Sequence, residues 1–320
     1  MQRFLKWLGL VFVGVIVLLL LLGWTPDTDR AEMIEKYSST ASQFVTDGDG
    51  MSIHYRDEGN KNGPAIVLLH GSSASLHTWE DMIRELSGEY RLISLDFPGH
   101  GLTGPDPKRD YSVGSLIDAA ETVMDAVGVE RAVIAGNSMG GWASWRMALA
   151  SPERVTGLIL IDASGPQIEE KTDLYLAAKI VESPIGQLLA PKITPRPIVR
   201  KTLTQVIYDD TQISETLMDR YWELNRFPGN RTAMVDRAKV DREPEYWNRV
   251  GNIDVPVLIL WGDHDVTTPP AFGRAFDAAI ENSKLITYPD AAHLPMEERP
   301  VKVAGDIRAW MGENFPPVTP

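Results

Sequence analysis

The chain contains no cysteine, which excludes disulfides, thiolate nucleophiles and cysteine-ligated zinc. Positive charge is also scarce: 31 Lys and Arg stand against 44 Asp and Glu, for a net charge of −13. With no basic cluster to offset that balance, a nucleic-acid partner is excluded. Neither G-x-x-x-x-G-K-[ST] nor H-E-x-x-H occurs, so neither a P-loop nor a zincin-type metal site is supported. Internal repeats and low-complexity tracts are absent too.

What is there begins with an apolar run. From Phe4 to Trp24 the chain is apolar except for Lys6, and Leu8 to Gly23 carries no polar side chain. Twenty-one helical residues at ~1.5 Å each reach roughly 31 Å, the thickness of a hydrocarbon core. Arg3, Lys6 and the amino terminus precede the run, and Asp27, Asp29 and Glu32 follow it. The positive-inside rule then leaves the N-terminus cytoplasmic and the rest of the chain across the membrane, with Trp7 and Trp24 as interfacial anchors. A cleaved signal, giving a secreted protein, is the alternative. It fits less well, because the run is long and Leu22-Gly23-Trp24-Thr25-Pro26 offers no A-x-A site.

Residues 26–42 read as a polar, partly helical linker. The runs Gln43–Thr46 and Met51–Tyr55 flank Asp47-Gly48-Asp49-Gly50, a hairpin signal. Continuous apolar runs then follow at Pro64–Leu69, Arg91–Leu95, Arg131–Ala135, Val155–Ile161, Val255–Trp261 and Lys284–Tyr288. Helical patterns lie between them, near Leu76–Leu86, Ser115–Val127 and Gly141–Ala150. Runs apolar on both faces, separated by helices, predict an α/β fold with a parallel sheet covered on both sides. The alternation breaks across 165–252, a segment rich in Tyr, Trp, Pro and charge that reads as a helical lid. The core is thus assigned to 43–164 and 253–313, and 314–320 to a loose tail.

Gly136-Asn137-Ser138-Met139-Gly140 is a G-x-S-x-G between a β-branched run and a helix-forming one, the setting of a nucleophile elbow. A serine hydroxyl needs a base to take its proton and a third group to orient that base. The elbow order places acid, then histidine, downstream. His293 lies in a loop just after the last strand and is the candidate base. His54, His70, His77 and His100 precede the elbow and read as structural. His264 is the other late histidine, but it sits within the acid loop. In Trp261-Gly262-Asp263-His264-Asp265 the candidate acid is Asp265; Asp263 reads as bonding the turn backbone, and Asp162 at the preceding strand end is a lesser alternative. The oxyanion donors are the backbone N–H groups of Met139 and Ser72, with Ser73 a close rival.

These residues resemble the α/β-hydrolase superfamily. The matching blocks are His70-Gly71-Ser72 with Trp79, Asp96-Phe97-Pro98-Gly99-His100-Gly101, Gly136–Gly141, Trp261–Asp265, and His293 followed by Glu297 and Pro300. The resemblance implies a mostly parallel eight-stranded sheet, a lid between strands six and seven, and no metal or organic cofactor. Thr103 departs from the family's D-x-P-G-x-G-x-S, where serine is frequent. A serine nucleophile disfavours the haloalkane dehalogenase and epoxide hydrolase branches, which use aspartate.

The resulting expectation is a membrane-tethered esterase or lipase-like enzyme, acting through an acyl-enzyme on a small, apolar ester. Gly136–Gly141 also looks like the carbon–carbon bond hydrolases of aromatic-ring degradation, and a perhydrolase side reaction would use the same triad. A non-catalytic ligand-binding homologue is the alternative from another class. Among the lid aromatics, Tyr175, Tyr221, Trp222, Phe227 and Trp247 are candidates for the pocket, most of them expected to pack the lid instead. For the topology, a reporter fused after Pro320 is expected to be active only outside the cytoplasm; cytoplasmic reporter activity would overturn the orientation.

Overall fold

Strands apolar at every position can only be satisfied by cover on both faces, and that requirement organises the computed structural model. It describes Trp7 and residues 23–170 and 172–316. Most of the expected membrane span at Phe4–Trp24, and Pro317–Pro320 of the tail, lie outside the described residues. Among the described residues, no helix is long and apolar enough to cross a membrane.

Eight strands form one sheet: β1 (Ser42–Thr46), β2 (Ser52–Gly59), β3 (Ala65–Leu69), β4 (Arg91–Leu95), β5 (Ala132–Asn137), β6 (Val155–Ile161), β7 (Val257–Gly262) and β8 (Ser283–Tyr288). Their spatial order is β1-β2-β4-β3-β5-β6-β7-β8. The hairpin β1–β2 and the β2–β4 pair are antiparallel, and all other pairs are parallel. This is the α/β-hydrolase architecture expected from the motif order. Successive side chains alternate between faces. Val67, Leu69, Ile134 and Leu160 join one core with helices α3 (Val113–Ala126) and α4 (Met139–Ala150). Ile66, Leu68, Val133 and Ile161 join the other, beneath α2 (Glu80–Leu86) and the C-terminal helix Pro300–Asn314. Each such aliphatic side chain contributes about 1.5–3 kcal/mol through burial.

The order β4-β3-β5 makes the chain leave β3 towards one edge and β5 towards the other. A crevice opens at their carboxyl ends, where ligands bind in open α/β sheets. Between β6 and β7 the chain forms α5 (Leu176–Glu182), α6 (Pro184–Leu189), α7 (Arg196–Val206), α8 (Glu215–Asn225) and α9 (Asn230–Arg237), which lie over that crevice. Lid and core are joined by Arg220–Glu297 (2.7 Å), Tyr221 Oη–Glu297 (2.9 Å) and Asn225 Nδ2–Ser73 O (2.8 Å).

Two terminal segments pack on the folded chain. The stretch read as a partly helical linker is helical over α1 (Arg30–Tyr37) and docks: Met33 is buried with Leu102, Leu224 and Phe227. Phe315, assigned to the tail, packs on Trp310 with ring centroids 5.5 Å apart. Met33 found partners distant in sequence, whereas Phe315 folds back on a ring five residues before it.

Three buried histidines make this fold sensitive to acid. Burial lowers the affinity of His70 and His100 for protons and pushes His77 down to about 4, although the Asp96 charge opposes it. An unfolded histidine titrates near ~6.5. Below that value the unfolded chain binds more protons than the folded one. The stabilisation is therefore complete above about pH 6.5 and drains away as pH falls towards about 4, by up to ~1.4 kcal/mol per pH unit per histidine. Urea midpoints should drop over this window, and His77→Gln should flatten the slope. An unchanged slope in that variant would contradict the assignment.

Candidate active site

The turn from β5 into α4 places Ser138 at φ 54°, ψ −115°. This sparsely populated conformation costs of order 1–3 kcal/mol and persists only where the surroundings enforce it. Ser138 N–H donates to Ile161 O (3.1 Å), and Ser138 O accepts from the Trp142 and Ser164 N–H groups (3.0 Å each). A Cβ on Gly140 would collide with the carbonyl oxygen of Leu69, and one on Gly136 with the backbone of Gly140. The glycines flanking the serine are therefore required by the close approach of α4 to β3 and β5. Met139 is the first residue of α4, where N–H groups lack intrahelical partners and the helix dipole favours negative charge.

His293 follows β8 in a loop held from several directions. Its Nδ1–H donates to Asp265 Oδ2 at 2.6 Å, its N–H donates to Val206 O (3.0 Å), and its carbonyl accepts from Asn137 Nδ2 (3.0 Å). The carboxylate of Glu298 accepts from the N–H groups of Ala292 (2.9 Å) and Leu294 (3.4 Å) on either side of the histidine. Neither Asn137 nor Glu298 was singled out for this from the sequence. Glu297, the acid of the sequence motif, instead ties down the lid through Arg220 and Tyr221.

Asp265 uses both oxygens. Oδ1 accepts from the N–H groups of Thr267 (2.7 Å) and Thr268 (3.1 Å); Oδ2 accepts from His293 and from Thr268 Oγ1 (2.5 Å). The turn-bonding role expected of Asp263 thus belongs to Asp265, while Asp263 is exposed. His264 is also exposed and stacks on Tyr208 at 4.2 Å, away from the pair.

Asp162, considered only as an alternative acid, is part of the same cluster. It is buried at the end of β6 with φ 42°, and its Oδ1 accepts from Gly262 N–H (3.0 Å). Asp162, Asp265 and His293 present ligand-type atoms all within 4.8 Å of one another. Because Asp265 and His293 are already bonded to each other, the group is built as a hydrogen-bond network. Burial and the neighbouring Asp265 charge push the Asp162 carboxyl well above the usual range, which favours its neutral form.

The loop after β3 supplies the opposite wall. His70 Nε2 accepts from Phe97 N–H (3.0 Å), so its Nδ1–H donates to Gly71 O (2.8 Å) and braces the loop. Behind it, Arg237 is buried and donates from Nη2 to Ser72 Oγ (3.3 Å). Burial pushes its guanidinium down to about 10, so it remains cationic at neutral pH beside Ser72. Ser73 has φ 63° and its carbonyl is held by Asn225 of the lid. Asp96 anchors the neighbouring loop by accepting from Leu76 N–H, Leu102 N–H and His54 Nδ1–H, each at 2.8 Å. Thr103 uses its hydroxyl in both directions: it donates to Asp96 O (2.7 Å) and accepts from His54 N–H (2.9 Å).

Ser138, His293, Ser72 and Ser73 line one cleft of about 790 Å³, counting its open mouth. Its far wall comes from the lid, with Ile198, Val199, Leu203, Val206 and Met234. Of the lid aromatics, Tyr175 and Tyr221 line this cleft. Phe227 is buried against Leu102, Trp222 donates to Thr194 O (2.8 Å), and Trp247 packs edge-on against Phe276 at 5.0 Å. Phe227 and Trp247 thus pack the lid onto the core, and Trp222 bonds within the lid.

A family model described as alpha/beta hydrolase fold matches residues 64–300. An uncharacterized hydrolase of Bacillus subtilis (strain 168) is 26% identical over 262 residues, spanning 81% of this chain and 94% of the relative. A 2-hydroxy-6-oxononadienedioate/2-hydroxy-6-oxononatrienedioate hydrolase of Burkholderia vietnamiensis is 29% identical over 286 residues, spanning 83% and 93%. A solved bacterial structure described as a membrane phospholipase A is similar in fold, with TM-score 0.72 and 23% identity over 99% of this chain and 100% of that one.

The elbow packing has a direct consequence. Gly140→Ala is expected to destabilise the protein by about 1–3 kcal/mol or more through overpacking and to remove hydrolytic activity. Gly305→Ala, in an open helix position with no atom within 4 Å of the added Cβ, is expected to stabilise it by about 0.4–1 kcal/mol. Denaturant midpoints compare the two, and equal midpoints would refute the close-approach argument.

Proposed function

The chain belongs to the α/β-hydrolase fold family and is a hydrolase, and from that premise we propose that it cleaves carboxylic esters through an acyl-enzyme on Ser138. The observation that carries this reading is the 2.6 Å contact of His293 Nδ1 with Asp265 Oδ2, with His293 lining the same cleft as the strained Ser138. With Nδ1–H committed to Asp265, His293 Nε2 is free to accept a proton.

In this mechanism Ser138 Oγ attacks the acyl carbon while His293 takes its proton. Charge developing on the carbonyl oxygen meets the backbone N–H groups of Met139 and Ser72, whose orientation costs nothing at the moment of reaction. His293 then protonates the departing alcohol. In the second half it activates a water that releases the acid and restores the serine. The buried Arg237 behind Ser72 adds a fixed positive charge on the oxyanion side. The apolar cleft wall suits an apolar acyl group, and the N-terminal run anchors the chain with the catalytic domain outside the cytoplasm.

A second reading has one specific support. The Burkholderia vietnamiensis relative is named as a hydrolase of 2-hydroxy-6-oxo dienedioates, and a carbon–carbon hydrolase would use the same serine and histidine. Rates on vinylogous 1,5-diketones against simple esters separate the two.

Ser138→Ala is expected to lower kcat on short p-nitrophenyl esters by about 10⁶-fold and to abolish labelling by a fluorophosphonate probe. Full activity in that variant would sink the acyl-enzyme mechanism.

A further inference from the structure

The residues that follow the apolar N-terminal run are sewn to the lid. Thr25 N–H donates to Lys192 O (2.9 Å), and its hydroxyl accepts from Thr194 N–H (2.7 Å) and Arg231 Nη1 (3.1 Å). Asp27 pairs with Arg231 Nη2 at 2.7 Å. Arg226 Nε donates to Pro26 O (3.0 Å), and Thr28 N–H donates to Arg226 O (2.9 Å). Thr194 and Arg231 also line the cleft that holds Ser138. One wall of the cleft is therefore fastened to the end of the apolar run, and no spare chain separates them.

The outer surface beside this seam carries large apolar side chains. Helix α6 buries Gly186 and turns Ile185 and Leu188 outward, 72% and 76% exposed. Its C-terminal turn leads into Lys192 and Ile193, whose N–H groups both bond Leu189 O. Trp24 lies there, 55% exposed, with the Lys192 ammonium 5.9 Å from its ring. A tryptophan and a lysine at the end of an apolar run, flanking exposed aliphatics, suit the boundary between headgroups and acyl chains.

We propose that the lid face bearing Trp24, Ile185 and Leu188 rests in the surface of the lipid bilayer, and that the ester substrate is a membrane lipid whose acyl chain enters the cleft from that face. This rests on the ester-hydrolase reading and on the N-terminal anchor. The tether argues for the bilayer as the occupant: with Thr25–Thr28 pinned to the lid, a chain inserted up to Trp24 holds α6 at the membrane. Inside, Ile198, Val199, Leu203, Val206 and Met234 offer the chain an apolar path towards Ser138. The reaction is hydrolysis: the acyl–oxygen bond breaks, water supplies a hydroxyl to the acyl carbon and a proton to the departing alcohol, and a fatty acid is released.

The absence of cysteine allows a direct test on the full chain. Leu188→Cys, carrying an environment-sensitive fluorophore, is reconstituted in phosphatidylcholine vesicles with brominated acyl chains. Val301→Cys, at a position 68% exposed on the C-terminal helix, serves as the reference. Quenching at 188 at least about threefold greater than at 301 is expected for a face lying in the interface. Equal quenching, or a probe shielded from water but not quenched by lipid, as when a second copy covers the face, would overturn the proposal. In parallel, Ile185→Asp combined with Leu188→Asp should lower fatty-acid release from the vesicles by about tenfold, while hydrolysis of soluble p-nitrophenyl butyrate stays within about twofold of wild type. Loss of neither activity would also overturn it. If wild type cleaves the soluble ester but releases no fatty acid, the lipid substrate fails and the esterase reading stands. If it cleaves neither while the 188 probe is quenched, the ester reading fails, and the substrate assignment with it.

Discussion

The catalytic region depends on one contact: the N-terminus of α4 laid against the ends of β3 and β5 with no Cβ in between. Gly140 lies over the Leu69 and His70 carbonyls, and Gly136 lies under Gly140. This proximity leaves the chain no relaxed path from strand to helix, so Ser138 takes φ 54°. The same turn places Ser138 in the cleft wall and brings the first N–H groups of α4 beside it. The proposed nucleophile and the proposed oxyanion donor would thus be two results of one packing constraint, and the neighbouring loop after β3 completes the wall.

Around that turn, buried polar groups hold the remaining parts still. Asp265 spends one oxygen on its own turn and the other on His293. Glu298 and Asn137 fix the histidine loop from two sides. In a low-dielectric interior such bonds are strong when every partner is present and costly when one is missing. Asp162 follows the same logic: with its neighbour charged, it favours the neutral state, which spares the site a second buried anion.

The lid and the N-terminal segment form a second assembly. Glu297, Arg220 and Tyr221 tie the lid to the core beside the histidine loop, and Arg231 and Thr194 tie it to the segment that follows the apolar run. Because those two residues also face the cleft, the shape of the substrate space is linked to the segment that follows the N-terminal apolar run. An enzyme acting on a lipid gains from that link, since its mouth then stays at the surface that holds the substrate.

The strands, their helices and the elbow were legible in the sequence because each rests on local pattern: apolar runs for doubly covered strands, glycine spacing for a tight turn, motif order for the succession of loops. Pairing is a different matter. Among the lid aromatics, composition could not separate Tyr175 and Tyr221, which face the cleft, from Phe227 and Trp247, which pack. The supposed linker turned out docked through Met33, and the turn-bonding carboxylate was Asp265 rather than Asp263. Asn137 carried no signal of its own, because the amide before Ser138 acquires meaning only once two segments 156 residues apart meet, and Glu298 carried none because its bonds to Ala292 and Leu294 depend on how the histidine loop turns. The sequence by itself determined the sheet, the elbow and the chemistry available to it. Tertiary structure alone decided which polar groups hold the loops and which apolar groups face the substrate, since both depend on contacts between segments whose separation along the chain encodes no distance.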